Sequence, residues 1–154
     1  CETMRGKTRF HYEGNVPETG TFVAPTMIEL NAITDLTREV FGPVLHIVRW
    51  KASELEALLD AIDALGYGLT LGVHSRIDTT IDRIVARLDT GNCYINRSMI
   101  GAVVGTQPFG GSRLSGTGPK AGGPNYLARF TLEQTVTVNT AAAGGNASLI
   151  AMGE

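Results

Sequence analysis

Cysteine is almost missing from this chain. Cys1 and Cys93 are the only two in 154 residues. They make neither a disulfide framework nor a metal-ligand spacing, which suits a reducing compartment, so a cytoplasmic location is expected. The three histidines, His11, His46 and His74, lack the spacing of paired metal ligands, and no metal is expected. No G-x-S-x-G turn and no serine-histidine-aspartate arrangement is present, so spacing alone identifies no nucleophile. No apolar run approaches the roughly 18 residues of a membrane span. The N-terminal stretch has no apolar signal core. Charged residues are only 18%, with a net charge of −2, which implies no broad basic face for nucleic acid.

What is present is the composition of a folded domain, with 43% hydrophobic residues in a length that suits one core. Residues 1–20 are polar and show no period. Residues 21–30, TFVAPTMIEL, read as strand material that Pro25 breaks or confines to an edge. Residues 44–50 are β-rich and follow the Gly42-Pro43 turn. Ser53 with Glu56 forms the pattern of a capping box, and Leu55, Leu58, Leu59, Ile62 and Leu65 keep helical spacing up to Gly66. Residues 69–74 are a strand. Ile77, Ile81, Ile84, Val85 and Leu88 then line a second helical face, and residues 92–96, NCYIN, form another strand. The order predicts an α/β fold with a parallel βαβαβ sheet and right-handed crossovers. Cys93 within that last strand reads as a small core hydrophobe. Residues 135–140, TVTVNT, alternate like a strand that needs a partner. The tail after them carries an apolar patch at Leu149 and Ile150.

The stretch with most character is residues 101–123, GAVVGTQPFGGSRLSGTGPKAGG, which holds eight of the 19 glycines. Glycine admits positive φ and lets backbone approach a ligand closely. Val103, Val104 and the Gln107-Pro108-Phe109 run distinguish it from a flexible linker. It leaves the carboxyl end of the third strand, where ligands bind in open α/β sheets. It fails two phosphate-loop patterns: Thr117 stands where the spacing Gly111 to Gly116 calls for lysine, and Gly116-Thr117-Gly118 does not open a helix after a strand. An anion held here would be held by a nest of backbone N–H groups. Glu39, before the Gly42-Pro43 turn, is placed to bind a sugar diol.

Two stretches carry a family resemblance. EVFGPV, from Glu39 to Val44, resembles the Glu-x-Phe-Gly-Pro signature of the aldehyde dehydrogenase superfamily. GAVVGTQPFGGSRLSGTGPKAGGP, from Gly101 to Pro124, is similar to the L-glutamate-γ-semialdehyde (1-pyrroline-5-carboxylate) dehydrogenase modules of the bacterial proline utilization A family. GNCYINR and the tail TVTVNTAAAGGNA fit the same family, from about residue 20 onward.

The resemblance implies part of an aldehyde dehydrogenase catalytic domain in residues 1–134, with a pairing strand and tail in 135–154. It implies NAD as cofactor, glutamate γ-semialdehyde as substrate and L-glutamate as product. The rest of a longer polypeptide and a homo-oligomer formed through the C-terminal strand are the implied partners. Glu39 then corresponds to the residue that holds the nicotinamide-ribose hydroxyls, and Phe41 to the one beside the nicotinamide. Gly101 and Ala102 fall in the loop that anchors the substrate α-carboxylate, and Phe109 corresponds to an aromatic wall. The family's nucleophilic cysteine and general-base glutamate precede Glu39. Cys1 lies 38 residues before Glu39, too close for that nucleophile and without its flanking residues, so no catalytic residue is expected here and the chain alone is expected to be inactive. The alternatives are a non-catalytic aldehyde-dehydrogenase-like assembly module, a dehydrogenase for another aldehyde, and a small ligand-binding α/β protein.

Overall fold

The computed structural model describes residues 8–139 together with 142, 148, 151 and 152. Cys1 and the Leu149-Ile150 patch lie outside the described residues.

Three strands open the fold: β1 (Phe10–Glu13), β2 (Thr26–Leu30) and β3 (Val44–Val48). β2 sits in the middle, antiparallel to β1 and parallel to β3. Pro25 is no obstacle, because it stands one residue before β2 and needs to donate nothing. Its carbonyl accepts the Gly14 N–H at 2.8 Å, and the Thr26 N–H reaches the Pro43 carbonyl at 2.8 Å. Alternate residues of β2 point inward, which buries Thr26, Ile28 and Leu30. β1 has only four residues, too few to show a period in residues 1–20.

Helix α1 (Leu55–Ala64) follows a 3₁₀ turn over Ala52–Glu54. The capping pattern starts two residues earlier than Ser53 suggests: the Lys51 N–H donates to the Glu54 carboxylate at 3.3 Å. The helix ends at Gly66, whose φ of +78° suits glycine. β4 (Tyr67–Gly68) and β5 (Thr70–Val73) come next, then α2 (Asp78–Arg87), β6 (Asn92–Ile95) and β7 (Ser112–Arg113). Leu59 of α1, Ile81 of α2 and Leu88 are buried, with Val73 and Tyr94 of the strands. Burying an aliphatic side chain of this size contributes about 1.5–3 kcal/mol.

The parallel strands expected from the sequence are present, but in two ladders. β3 pairs with β2, and β5 pairs in parallel with β6 through Thr70↔Asn92 to Val73↔Ile95. No ladder joins β3 to β5 among the described residues. Periodicity fixes what each strand buries and leaves open which strand it lies beside. β7 pairs antiparallel with β4. The expected strand at 135–140 makes no ladder over its described residues, 135–139, and Val136 and Val138 are exposed. An extended segment with no neighbouring edge has nowhere within one chain to place its ladder hydrogen bonds.

Candidate functional site

β6 is followed directly by Asn96, which takes a φ of +53°. Its side-chain amide makes two bonds to Ser75: the Ser75 N–H donates to Oδ1 at 3.0 Å, and Nδ2 donates to the Ser75 carbonyl at 2.9 Å. The Asn96 N–H itself reaches the Val73 carbonyl at 2.9 Å. The chain then leaves the carboxyl end of the β5–β6 pair, with the Arg97 guanidinium 5.3 Å above the Tyr94 ring. A turn at Val103–Thr106–Gln107 brings it back: the Thr106 and Gln107 N–H groups both reach the Val103 carbonyl at 3.1 Å. Asn92, at the other end of β6, receives the returning strand. Its Nδ2 donates to the Pro108 carbonyl at 2.9 Å, and its Oδ1 accepts the Gly110 N–H at 3.2 Å. Phe109 between them exchanges two 3.0 Å backbone bonds with Ala121.

The loop so held encloses a cavity of about 660 Å³, lined by Gly101, Ala102, Gln107, Phe109, Ala121 and Gly122 among others. Gly101 takes a φ of +148° with open space where a Cβ would stand. Among the described residues, neither the Gly101 nor the Ala102 N–H donates to a protein acceptor. The Gln107 side-chain Oε1 is buried without a partner. Adjacent unpaired N–H donors beside an aromatic ring suit an anionic group on a short aliphatic chain.

The later glycines close the return of the loop. A Cβ on Gly116 would lie 2.0 Å from the Gly111 carbonyl oxygen, and one on Gly91 would lie 1.8 Å from that of Gly110. Lys120 Nζ donates to the Gly110 carbonyl at 2.8 Å. Ser115 Oγ accepts the Gly68 N–H at 3.0 Å, and Ser112 Oγ donates to the Asp89 carbonyl at 2.8 Å. Arg113 pairs with Asp63 at 3.0 Å. The sequence marked the glycine density here but gave Gly116 to Gly123 no role, and it passed over Asn92, Asn96 and Lys120. The one available signal was an asparagine at each end of NCYIN.

Glu39 and Phe41 stand elsewhere. The Glu39 N–H donates to Tyr67 Oη at 3.3 Å. Glu39 lines a second cavity of about 290 Å³, with Tyr67, Thr70, Thr90, Arg113 and Ser115. Its carboxylate has no partner among the described residues, which fits a diol as ligand. Phe41 is 86% exposed, with its ring face free to pack on a planar group. The structure therefore gathers Gly101, Ala102 and Phe109 around one cavity and leaves Glu39 and Phe41 outside it. Cys93 is half-buried, while its neighbour Tyr94 is the core residue of β6. Burial pushes the Cys93 thiol up, partly offset by a backbone hydrogen bond at Tyr94, which opposes a nucleophilic thiolate. Among the described residues no three His, Cys, Asp or Glu side chains gather to hold a metal, and no helix is long and apolar enough to cross a membrane.

The profile of the aldehyde dehydrogenase family matches residues 3–136. The chain belongs to the aldehyde dehydrogenase family. Within it, the chain is 58% identical over 132 residues to the bifunctional protein PutA of Rhizobium meliloti, covering 84% of this chain and 11% of that protein. A crystal structure of a mutant proline utilization A from Bradyrhizobium japonicum superposes with a TM-score of 0.83 at 62% identity, covering 92% of this chain and 14% of the other. A 1-pyrroline-5-carboxylate dehydrogenase from Thermus with bound NAD superposes with a TM-score of 0.74 at 35% identity, covering 84% of this chain and 25% of the other. The aldehyde dehydrogenase chain described here thus spans about a ninth of its curated relative, and a likeness this high over a shared segment makes the two folds the same.

Proposed function

We propose that the chain is the substrate-anchoring portion of an NAD-dependent dehydrogenase that oxidises L-glutamate γ-semialdehyde, formed from 1-pyrroline-5-carboxylate, to L-glutamate in proline catabolism. The observation that carries this reading is the pair of unpartnered N–H groups at Gly101 and Ala102 on a cavity that also holds Phe109. Two such donors hold the substrate α-carboxylate, and the Phe109 ring packs on its methylenes. The high identity to PutA proteins and the likeness to a 1-pyrroline-5-carboxylate dehydrogenase support the choice of aldehyde.

Glu39 holds the nicotinamide-ribose hydroxyls, and Phe41 lies beside the nicotinamide. NAD, when bound, accepts the hydride that leaves the aldehyde carbon. The chain's own part is to fix the substrate end remote from that carbon, which turns binding energy into orientation. The thiol that adds to the aldehyde and the base that activates water come from the rest of the parent polypeptide. Residues 1–134 belong to the catalytic domain, and 135–154 reach a second subunit.

In the full-length enzyme, Gly101→Val raises KM for the semialdehyde by about tenfold, the worth of roughly one charged hydrogen bond, and raises KM for NAD much less. Equal effects on the two substrates would remove the anchor role. This chain alone, given NAD and semialdehyde, forms no NADH; turnover by the isolated chain would refute the division of labour.

A further inference from the structure

We infer that Asn92 and Asn96 are positioning residues that together set the shape of the anchor loop, one at each end of β6. The inference rests on the proposed anchor role of Gly101 and Ala102.

The last paired residues of the β5–β6 ladder are Val73 and Ile95. Beyond them the backbones would part. Asn96 instead adds a rung with its side chain, because one primary amide offers a donor and an acceptor at the spacing of a peptide group. It accepts from the Ser75 N–H at 3.0 Å and donates to the Ser75 carbonyl at 2.9 Å. Its φ of +53° turns the chain sharply off the sheet, and asparagine tolerates this region better than most residues with a Cβ. The direction in which residues 97–102 leave is thereby fixed five residues before Gly101, the first of the two donors.

Asn92 does the same at the far end. Its amide bonds the backbone on both sides of Phe109, at the Pro108 carbonyl and the Gly110 N–H. Phe109's own N–H and carbonyl are occupied by Ala121, so the ring's backbone is held on every side. Neither asparagine lines the cavity, so both act through the residues they hold. One clamp opens the four-residue strand β6 and the other follows directly on its last residue, which couples the carboxylate donors and the aromatic wall to one rigid element.

The test compares two aldehydes in the full-length enzyme: glutamate γ-semialdehyde and butanal, which has neither the α-carboxylate nor the α-amine. Asn96→Asp keeps the size, the tolerance of positive φ and the bond from Ser75 N–H, but sets a carboxylate against the Ser75 carbonyl. It lowers kcat/KM for the semialdehyde about tenfold more than for butanal, with the loss appearing as a rise in KM. Asn96→Gly keeps the turn, loses the clamp and gives the same selective loss, so the inference stays testable where the aspartate variant fails to fold. Asn92→Asp raises KM for both aldehydes with kcat little changed, because both contact the wall at Phe109, whereas a fall in kcat for both with KM unchanged would remove Asn92 from the inference. A purely structural role for Asn96 would lower the active fraction and reduce kcat for both aldehydes alike, and that result in both Asn96 variants overturns the inference. A wild-type enzyme that fails to prefer the semialdehyde over butanal would instead overturn the anchor reading on which it rests.

Discussion

A β-carbon at Gly91 would lie 1.8 Å from the Gly110 carbonyl oxygen, and its nearest contacts are all backbone. No side-chain rotation relieves such a contact, so the loop's return must shift bodily. Gly91→Ala is therefore expected to destabilise the enzyme by about 2–4 kcal/mol, read from the urea midpoint. Gly42→Ala is the contrast. Nothing lies within 4 Å of its β-carbon, but φ is +109°, and backbone strain alone costs about 1–3 kcal/mol. The concentration of glycine in 101–123 was plain in the sequence. Which glycines touch backbone and which only turn it was not, because that depends on close approaches such as Gly116 to Gly111 and Gly91 to Gly110 that only the folded loop makes. The same holds for Asn92 and Asn96: a polar residue at a strand end is ordinary, and only its partners at Pro108, Gly110 and Ser75 give it meaning.

The three-stranded sheet carries a pH response. His11, Ile28 and His46 lie in one row across β1, β2 and β3, and residues in register share a face. Ile28 is 1% exposed, so both histidines flank the core. Burial holds the His46 pKa below 6.5. The folded state thus disfavours the charged form, and its stability is intact above pH 6.5 and falls as the pH drops below it and the unfolded chain takes up the proton. The urea midpoint should be lower at about pH 5.5 than at about pH 7.5, and His46→Gln should shrink that difference. An unchanged difference in the variant would remove His46 from the account. At this scale the sequence was most informative: both helices, β2, β3, β5 and β6 lie where apolar spacing put them. It said nothing of β1 and β7, which have four and two residues; so short a segment has no period to read. It also merged two parallel ladders into one sheet, since strand order is a long-range property.

As a whole the chain exposes more apolar surface than a self-contained domain would keep. Ile100, Val104 and Leu132 are each at least 96% exposed, and Val136 and Val138 are more than 70% exposed. The chain spans 11% of the PutA relative, and apolar side chains this exposed suit a surface that further polypeptide covers. Residues 132–138 join no ladder among the described residues, and a second subunit's sheet edge would supply one. Val136→Asp with Val138→Asp should shift the full-length enzyme to a smaller species in sedimentation velocity, and an unchanged sedimentation coefficient would remove this segment from the interface. The family was legible from two stretches, EVFGPV and the glycine run, while the separation of Glu39 from the Gly101 cavity was visible only in three dimensions.

The central claim is that Gly101 and Ala102 hold an α-carboxylate. Product inhibition of the full-length enzyme by L-glutamate and by 4-aminobutyrate tests it most directly, because the two differ only in that carboxylate. L-Glutamate should inhibit competitively with the semialdehyde at a concentration at least about tenfold lower than 4-aminobutyrate, the worth of one or two charged hydrogen bonds, and Gly101→Val should erase the difference. Equal inhibition of the wild-type enzyme by the two amino acids would contradict it.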